Sequence, residues 1–112
     1  MNRRTFAAFL AIGLAVAFAP RIAMAEDHLA EAISHTKEAI DHGKMGHPDV
    51  LVTHAEAALT HAEASEKAKA NPHTKEGITH LNAAIAEGKK KDAAAATKHA
   101  EEALTHLEAA TK

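Results

Sequence analysis

The sequence predicts an all-α fold: an up-down-up-down antiparallel four-helix bundle built from a duplicated helical hairpin. Three observations predict this fold. Apolar residues recur at helical spacing, helix breakers divide the chain into four segments, and a shift of 45 residues lays residues 28–67 on residues 73–112 without a gap. A repeat of this length, holding two helical segments, is expected to form one hairpin, and the chain contains it twice.

Breakers and caps set the expected helix limits. Glycine and proline separate the first two helices within residues 43–48, and the Asn-Pro pair at 71–72 offers a cap and a first-turn residue for the third. Gly88 and the lysines at 89–91 end the third helix, and Asp92 can cap the fourth. Such short connections make neighbouring helices antiparallel. We expect helices at about residues 28–42, 48–69, 73–88 and 92–111, with ends accurate to about 2–4 residues.

Residues 1–25 have the pattern of a cleaved export signal. A basic start at Arg3-Arg4 precedes an apolar run over residues 6–19, and Ala23-Met24-Ala25 is a small-x-small cleavage site. The signal predicts a periplasmic protein whose single His-rich four-helix domain spans residues 26–112. An uncleaved amphipathic anchor is the structural alternative. The paired arginines fit twin-arginine export as well as a plain secretory signal.

Composition narrows the function of residues 26–112. They contain no cysteine and no aromatic residue except histidine, which excludes thiolate metal sites, iron–sulfur clusters and c-type haem attachment. Ten lysines against 15 carboxylates give a formal charge of −5 with neutral histidine. This balance argues against nucleic acid as a partner and favours cations. After cleavage of the signal, no stable membrane association is expected.

Ten histidines dominate the chain, and nearly all follow one another at intervals of seven residues. Seven residues are close to two helical turns, so each series forms a stripe along one face of a helix, on the flank of its apolar side. Histidine is the commonest metal ligand in proteins. The simpler interpretation, a border between core and solvent, would favour Lys, Glu or Gln instead. The stripes comprise His28, His35 and His42; His47, His54 and His61; His73 and His80; and His99 and His106.

Histidines of one stripe are about 10 Å apart along the helix axis, whereas a metal–nitrogen bond is about 2 Å long. A shared ion therefore needs a ligand from the neighbouring antiparallel helix. Antiparallel pairing matches residues whose numbers have a constant sum, which is 89 in the first hairpin and 179 in the second. The resulting two-imidazole rungs are His28 with His61, His35 with His54, His42 with His47, His73 with His106, and His80 with His99.

Four glutamates lie three residues after a histidine, close enough on a helix to complete a site or to support it. Imidazole with carboxylate and water suits copper(II), nickel(II) and zinc(II), and affinity is expected to be highest for copper(II). Several ions per chain are expected. The glutamates are Glu31, Glu38, Glu76 and Glu102.

Two further places have metal-ligating potential. In the first turn, His42, Met45 and His47 combine two imidazoles with a thioether, a set that accepts copper(I) as well as copper(II); alternatively, Met45 only covers the end of the bundle. After cleavage, Glu26-Asp27-His28 would place histidine third from a free amine, as in square-planar copper and nickel sites. In a chain this rich in histidine, chance placement is the alternative.

The heptads resemble a known family. His54-Ala-Glu-Ala-Ala-Leu-Thr-His61 and His99-Ala-Glu-Glu-Ala-Leu-Thr-His106, with Ile40-Asp-His42-Gly-Lys and Gly46-His47 at the turn, are similar to the small metal-binding protein (SmbP) family. The resemblance covers residues 26–112. It implies a monomeric, periplasmic four-helix bundle that binds several divalent ions, copper foremost, and buffers or scavenges them. The chain departs from the family pattern at Glu87 and Asp92, where histidines are expected.

Enzymatic activity is not expected, because the chain has no His-Glu-x-x-His run, nucleophile elbow or glycine-rich phosphate loop. Di-iron bundles need Glu-x-x-His, whereas the order here is His-x-x-Glu. The alternative function is a pH-responsive, amphipathic interaction or chaperone-like protein. Protonating the ten histidines would carry the formal charge from −5 towards +5 between about pH 7 and pH 5.

Overall fold

The computed structural model describes residues 21–112, which form four helices and no strand. The helices are α1 (Arg21–Lys44), α2 (Pro48–Ala68), α3 (Pro72–Lys89) and α4 (Ala93–Ala109). Each helix packs along the two that are adjacent to it in the bundle, so α1 contacts α2 and α4, and α3 contacts α2 and α4. The predicted antiparallel four-helix bundle is confirmed.

The start of α1 differs from the expectation. The helix includes residues 21–25, which the sequence assigns to the export signal, because Ala25 is buried against the bundle and its carbonyl accepts a hydrogen bond from Ser65 Oγ at 2.9 Å. Cleavage after Ala25 would leave α1 to begin at Glu26. Residues 1–20, the rest of the predicted signal, lie outside the described residues, and the cleavage itself stays a prediction.

Local chemistry explains where α3 and α4 begin. Asn71 caps α3 by accepting a hydrogen bond from the amide of His73 at 2.8 Å, and Pro72 occupies the first turn. Asp92 caps α4 by accepting from the amide of Ala95 at 3.0 Å. Both caps are the ones that the sequence predicts.

The core is built mainly from alanine at spacings of three and four residues. Its row in α2 is typical: Leu51, Ala55, Ala58, Ala62 and Ser65 are buried. Leu81 and Leu107 are among the few large side chains that are fully buried. Short side chains let antiparallel helices approach closely, which determines how their flanks meet.

The two flanks of each helix carry different chemistry. Histidine directly precedes one row of buried residues, as His35 precedes Thr36, and a larger aliphatic side chain directly follows the other row, as Ile33 follows Ala32. The histidine flanks meet within each hairpin, as the ring pairs described below show. The aliphatic flanks serve the contact between hairpins; they comprise Ile33, Ile40, Val52, Leu59, Ile78, Ile85 and Leu104.

The two hairpin turns have the same backbone and different residues. In the first turn, the amide of His47 donates to the carbonyl of His42 at 3.0 Å, and Gly46 has a φ of 77°. In the second turn, the amide of Asp92 donates to the carbonyl of Glu87 at 3.0 Å, and Lys91 has a φ of 69°. Both are Schellman endings, which require one residue in the left-handed region. Glycine takes this conformation without strain, whereas a lysine does so at a cost of about 1 kcal/mol.

We therefore predict that Lys91→Gly is more stable than Lys91→Ala by about 1 kcal/mol, because only glycine removes the left-handed strain. Both variants lose the ion pair between Lys91 and Asp49, which is exposed and contributes little. Urea unfolding of the two variants measures the difference. A Lys91→Gly protein no more stable than Lys91→Ala would contradict the assigned turn.

Two glycines let the hairpins approach each other near their turns. A Cβ on Gly43 of α1 would lie 2.0 Å from Oγ1 of Thr97 in α4, and one on Gly88 of α3 would lie 2.5 Å from Cγ2 of Val52 in α2. Under the 45-residue repeat these are equivalent contacts, because Gly43 corresponds to Gly88 and Val52 to Thr97. The duplicated hairpins therefore pack with an approximate twofold relationship at this end.

Alanine at position 43 tests this approach. Helix propensity alone would make Gly43→Ala more stable by about 1 kcal/mol, but the overlap with Thr97 leads us to predict destabilisation of about 1–3 kcal/mol. Removing the obstructing oxygen with Thr97→Ala should recover part of this loss in the double variant. A double-mutant cycle on the free energy of unfolding measures the coupling. Additive effects would contradict the contact.

Candidate metal centre

The histidines of α1 and α2 form one continuous ladder of rings. Its order alternates between the helices: His28, His61, His35, His54 and His42, with successive ring centroids 5.2, 5.7, 5.9 and 5.3 Å apart. The second hairpin has a shorter ladder of the same kind. It contains His73, His106, His80 and His99, with separations of 6.4, 5.3 and 6.1 Å.

The ladders contain four of the five expected rungs, all except His42 with His47, and they have additional contacts between the rungs. His35 lies beside its rung partner His54 and is also nearly parallel to His61, with an interplanar angle of 6°. Side chains tilt towards the N-terminus of their own helix, so rings on antiparallel helices are displaced in opposite directions. Each ring inside a ladder therefore lies between two rings of the partner helix, a stagger that the constant-sum rule does not describe.

The rung between His28 and His61 already has a spacing suited to an ion. Their Nδ1 atoms are 2.9 Å apart, where one nitrogen donates its proton to the other. Two nitrogens in adjacent positions of a square-planar copper(II) site, each bonded at about 2.0–2.1 Å, are separated by about 2.9 Å. An ion that replaces the shared proton can therefore keep the separation of the two nitrogens, while each ring turns to direct its lone pair at the ion.

Among residues 21–112, carboxylates complete four groups of three ligand atoms. In each group two histidines from adjacent helices and one glutamate have ligand atoms within 4.8 Å of one another. The four groups are Glu31, His35 and His61; His35, Glu38 and His54; Glu76, His80 and His106; and His80, His99 and Glu102.

The four predicted glutamates are the ones that the structure brings into these groups, but two of them have different partners. Glu31 and Glu76 lie three residues after His28 and His73, yet they group with the histidine four residues later in the chain. Residues three and four apart both adjoin on a helix, so spacing alone leaves this choice open.

The central groups of the two hairpins show how the repeat preserves the chemistry. In the first hairpin, Glu38 Oε1 lies 3.5 Å from His35 Nδ1 and 3.9 Å from His54 Nδ1. In the second, Glu102 Oε1 lies 3.5 Å from His99 Nδ1 and 3.9 Å from His80 Nδ1. The carboxylate comes from α1 in one hairpin and from α4 in the other. Alanine occupies both positions that the repeat makes equivalent, Ala83 and Ala57.

Several ring nitrogens lack the partner that burial normally requires. The Nδ1 atoms of His35, His42 and His99 are buried and form no hydrogen bond with any residue of 21–112. A buried polar atom left in this state costs about 1–3 kcal/mol. Two of these nitrogens belong to the three-ligand groups, where a cation would satisfy the lone pair. The donor set and its unsatisfied atoms therefore fit a transition-metal ion.

The first turn does not gather its three predicted ligands in the same way. The ring of His42 stacks on His54, 5.3 Å away, whereas His47 is exposed and makes no capping hydrogen bond with its side chain. Met45 is 59% exposed. Within residues 21–112, one hydrogen bond joins the two histidines, from the amide of His47 to the carbonyl of His42. A copper site at this turn stays a prediction.

The carboxylates at the second turn have structural partners. Glu87 forms an ion pair with Lys90 at 3.4 Å, and Asp92 caps α4. The predicted amino-terminal site stays untested, because residues 26–28 are helical in the described chain, and His28 is bonded to His61. That site would need cleavage after Ala25 and an unwound first turn.

Within residues 21–112, none of the helices has the length and apolar character needed to cross a bilayer. A helical bundle whose two hairpin interfaces are lined with imidazoles and carboxylates is a metal-binding protein by class. The profile of the family described as small metal-binding protein matches residues 3–110, and the chain belongs to this family. The resemblance seen in the heptads is thus confirmed. A comparison with curated proteins finds no match.

The unsatisfied nitrogen of His35 leads to a prediction. We expect His35→Leu to raise the stability of the metal-free protein by about 1 kcal/mol, because it removes a buried atom without a partner, and to reduce the stabilisation gained on adding copper(II). Chemical unfolding with and without the ion measures both effects. Asn82→Leu, at an exposed helical position outside every candidate ligand group, is the control. A metal-free His35→Leu protein that is clearly less stable would show that the ring contributes to packing instead.

Proposed function

We propose that the protein binds divalent transition metals in the periplasm, copper(II) foremost, and buffers or scavenges them. The observation that carries this proposal is the repeated group of two imidazoles from adjacent helices with one carboxylate, found twice in each hairpin. Imidazole and carboxylate are ligands for copper(II), nickel(II) and zinc(II), and the usual order of affinities favours copper(II). Zinc and nickel are expected to bind more weakly at the same positions.

Partial exposure of the ligands supports a role in buffering. The side chains of His35, His54, His80 and His99 are between 22% and 34% exposed. Three protein ligands leave coordination positions open to water or to an exchanging partner, unlike a closed structural site. The ions are thus held where they can be taken up and released.

The bundle itself also supports the interpretation that the metal is bound and released, and is not required for folding. Side chains of the chain itself cap α3 and α4, and the four helices enclose an apolar core. Since the fold has this core, the ion is expected to add stability to a protein that folds without it. A family of small metal-binding proteins is consistent with this role.

The cellular setting is part of the proposal. A cleaved signal at residues 1–25 would deliver the bundle to the periplasm, where we expect it to act as a monomer. The absence of cysteine from the sequence suits an oxidising compartment, because neither the fold nor the sites depend on thiol chemistry.

The experiment uses the protein purified from the periplasm of an expressing bacterium, with mass spectrometry establishing whether it begins at Glu26. Titration with copper(II) at neutral pH, followed by calorimetry and thermal unfolding, is expected to show at least two equivalents bound and a higher Tm. An ion at about 100 times its Kd would stabilise the fold by about 2.7 kcal/mol per site.

The control is the double variant His35→Ala with His80→Ala, which removes a ligand from all four groups. It should lose the tightly bound equivalents while remaining helical. Binding of less than one equivalent to the unsubstituted protein, with unchanged Tm, would contradict metal binding and favour the pH-responsive interaction protein.

A further inference from the structure

One histidine in each hairpin belongs to two of the candidate groups. His35 is grouped with Glu31 and His61 on one side and with Glu38 and His54 on the other. In the second hairpin, His80 is shared in the same way between the groups that contain Glu76 and Glu102. The four groups therefore contain only two central histidines.

The carboxylates of Glu31 and Glu38 lie beside opposite nitrogens of the shared His35 ring. Glu31 lies 4.0 Å from His35 Nε2, whereas Glu38 lies 3.5 Å from His35 Nδ1. A neutral imidazole has one lone pair, because its other nitrogen carries a proton. Coordination of an ion through Nδ1 therefore places the proton on Nε2, which then cannot bind a second ion, and the reverse holds for coordination through Nε2.

This inference rests on the proposed binding of metal. We propose that His35 and His80 are each a ligand at two alternative positions, of which a single ion occupies one at a time. Each hairpin then holds one ion by three protein ligands, and the tautomer of the shared ring decides which position the ion occupies. The chain binds two ions tightly in this way, although the structure offers four groups. The remaining histidines supply only sites of two imidazoles.

The geometry gives each glutamate two functions. When the ion is bound through His35 Nδ1 beside Glu38, the proton on Nε2 points towards Glu31, which orients the ring as a hydrogen-bond acceptor. When the ion is bound through Nε2, Glu31 is the ligand and Glu38 accepts from Nδ1. Carboxylates that accept from a metal-bound histidine fix its tautomer and raise its basicity. The empty position therefore supports the filled one.

The second hairpin supplies an independent instance of sharing. Its central carboxylate, Glu102, comes from the opposite helix to that of Glu38, yet it still lies on the Nδ1 side of the shared ring, 3.9 Å from His80 Nδ1. The carboxylate has changed helix while the shared histidine has stayed in place. Sharing is thus a property of the staggered ladder and not of one glutamate position.

Counting tightly bound copper(II) in single variants tests the proposal. Loading is measured by native mass spectrometry in the presence of excess glycine, which competes for copper(II) and removes ions held by two imidazoles alone. We expect two equivalents in the unsubstituted protein, one in His80→Ala, one in His35→Ala and none in the double variant. Four equivalents, with two lost in each single variant, would overturn the proposal.

The glutamates provide the finer test, in the His80→Ala background where only the first hairpin binds tightly. Glu31→Gln and Glu38→Gln should each still load one equivalent, because the other position remains. The variant with both changes should bind at least about 10-fold more weakly. Both glutamates are exposed, so amide replacement is expected to preserve the fold, and Glu63→Gln is a matched control on α2. If the His80→Ala protein instead bound two equivalents, and each single glutamate change removed one of them, the proposal would be overturned.

Spectroscopy separates sharing from bridging. If two copper(II) ions occupied both nitrogens of one deprotonated ring, their spins would couple, and the integrated electron paramagnetic resonance signal would fall below the bound copper. We expect the signal to equal the bound copper, and a deficit would overturn the proposal. Failure of the unsubstituted protein to load any ion would instead contradict the proposed function itself.

The tautomer can be observed with zinc(II), which is diamagnetic. In ¹⁵N spectra of the zinc-loaded His80→Ala background, Glu31→Gln should place the His35 proton on Nε2, and Glu38→Gln should place it on Nδ1. The same tautomer in both variants would contradict the two-position arrangement.

Discussion

The close approach of antiparallel helices across rows of alanine is the constraint on which the rest of the structure depends. Alanine fills the buried positions of α2 at 55, 58 and 62, so the helices are separated by little side-chain volume. Histidines on the flanks of two such helices then meet ring to ring, between about 5 and 6.5 Å apart. Larger core residues would move the flanks apart, and no common ion would be within reach of both rings.

Duplication of the hairpin shows which features this constraint preserves. The central rungs, the glycines at 43 and 88, and the Schellman turns occur in both halves. The ligand carboxylate and the left-handed turn residue differ, with Glu38 replaced in function by Glu102 and Gly46 by Lys91. Contacts that set the distance between helices are thus the same in both hairpins. The position of the ligand carboxylate differs, because more than one position beside the ladder can supply it.

Much of the fold and part of the site follow from the sequence, because both depend on periodicity. The seven-residue spacing predicts the stripes, and the caps at Asn71 and Asp92 predict two helix starts. The stagger of the ladder depends on the tilt of the side chains, and the partners of Glu31 depend on rotamers. Neither is encoded in spacing, so the sharing of His35 emerges only from the three-dimensional arrangement. The extension of α1 to Arg21 reflects burial of Ala25, a tertiary contact.

The two ladders differ where they reach the turns, because only the first hairpin has histidines there. The first ladder ends in His42, whose buried Nδ1 is unsatisfied, and the exposed His47 follows in the turn. In the second hairpin the equivalent residues, Glu87 and Asp92, are engaged by Lys90 and by the start of α4. Histidines thus reach the turn in the first hairpin, whereas in the second hairpin the histidines of α3 and α4 lie away from the turn. The shared histidines lie at the same height in both, so the tight positions depend on the alanine-lined contact and not on the turns.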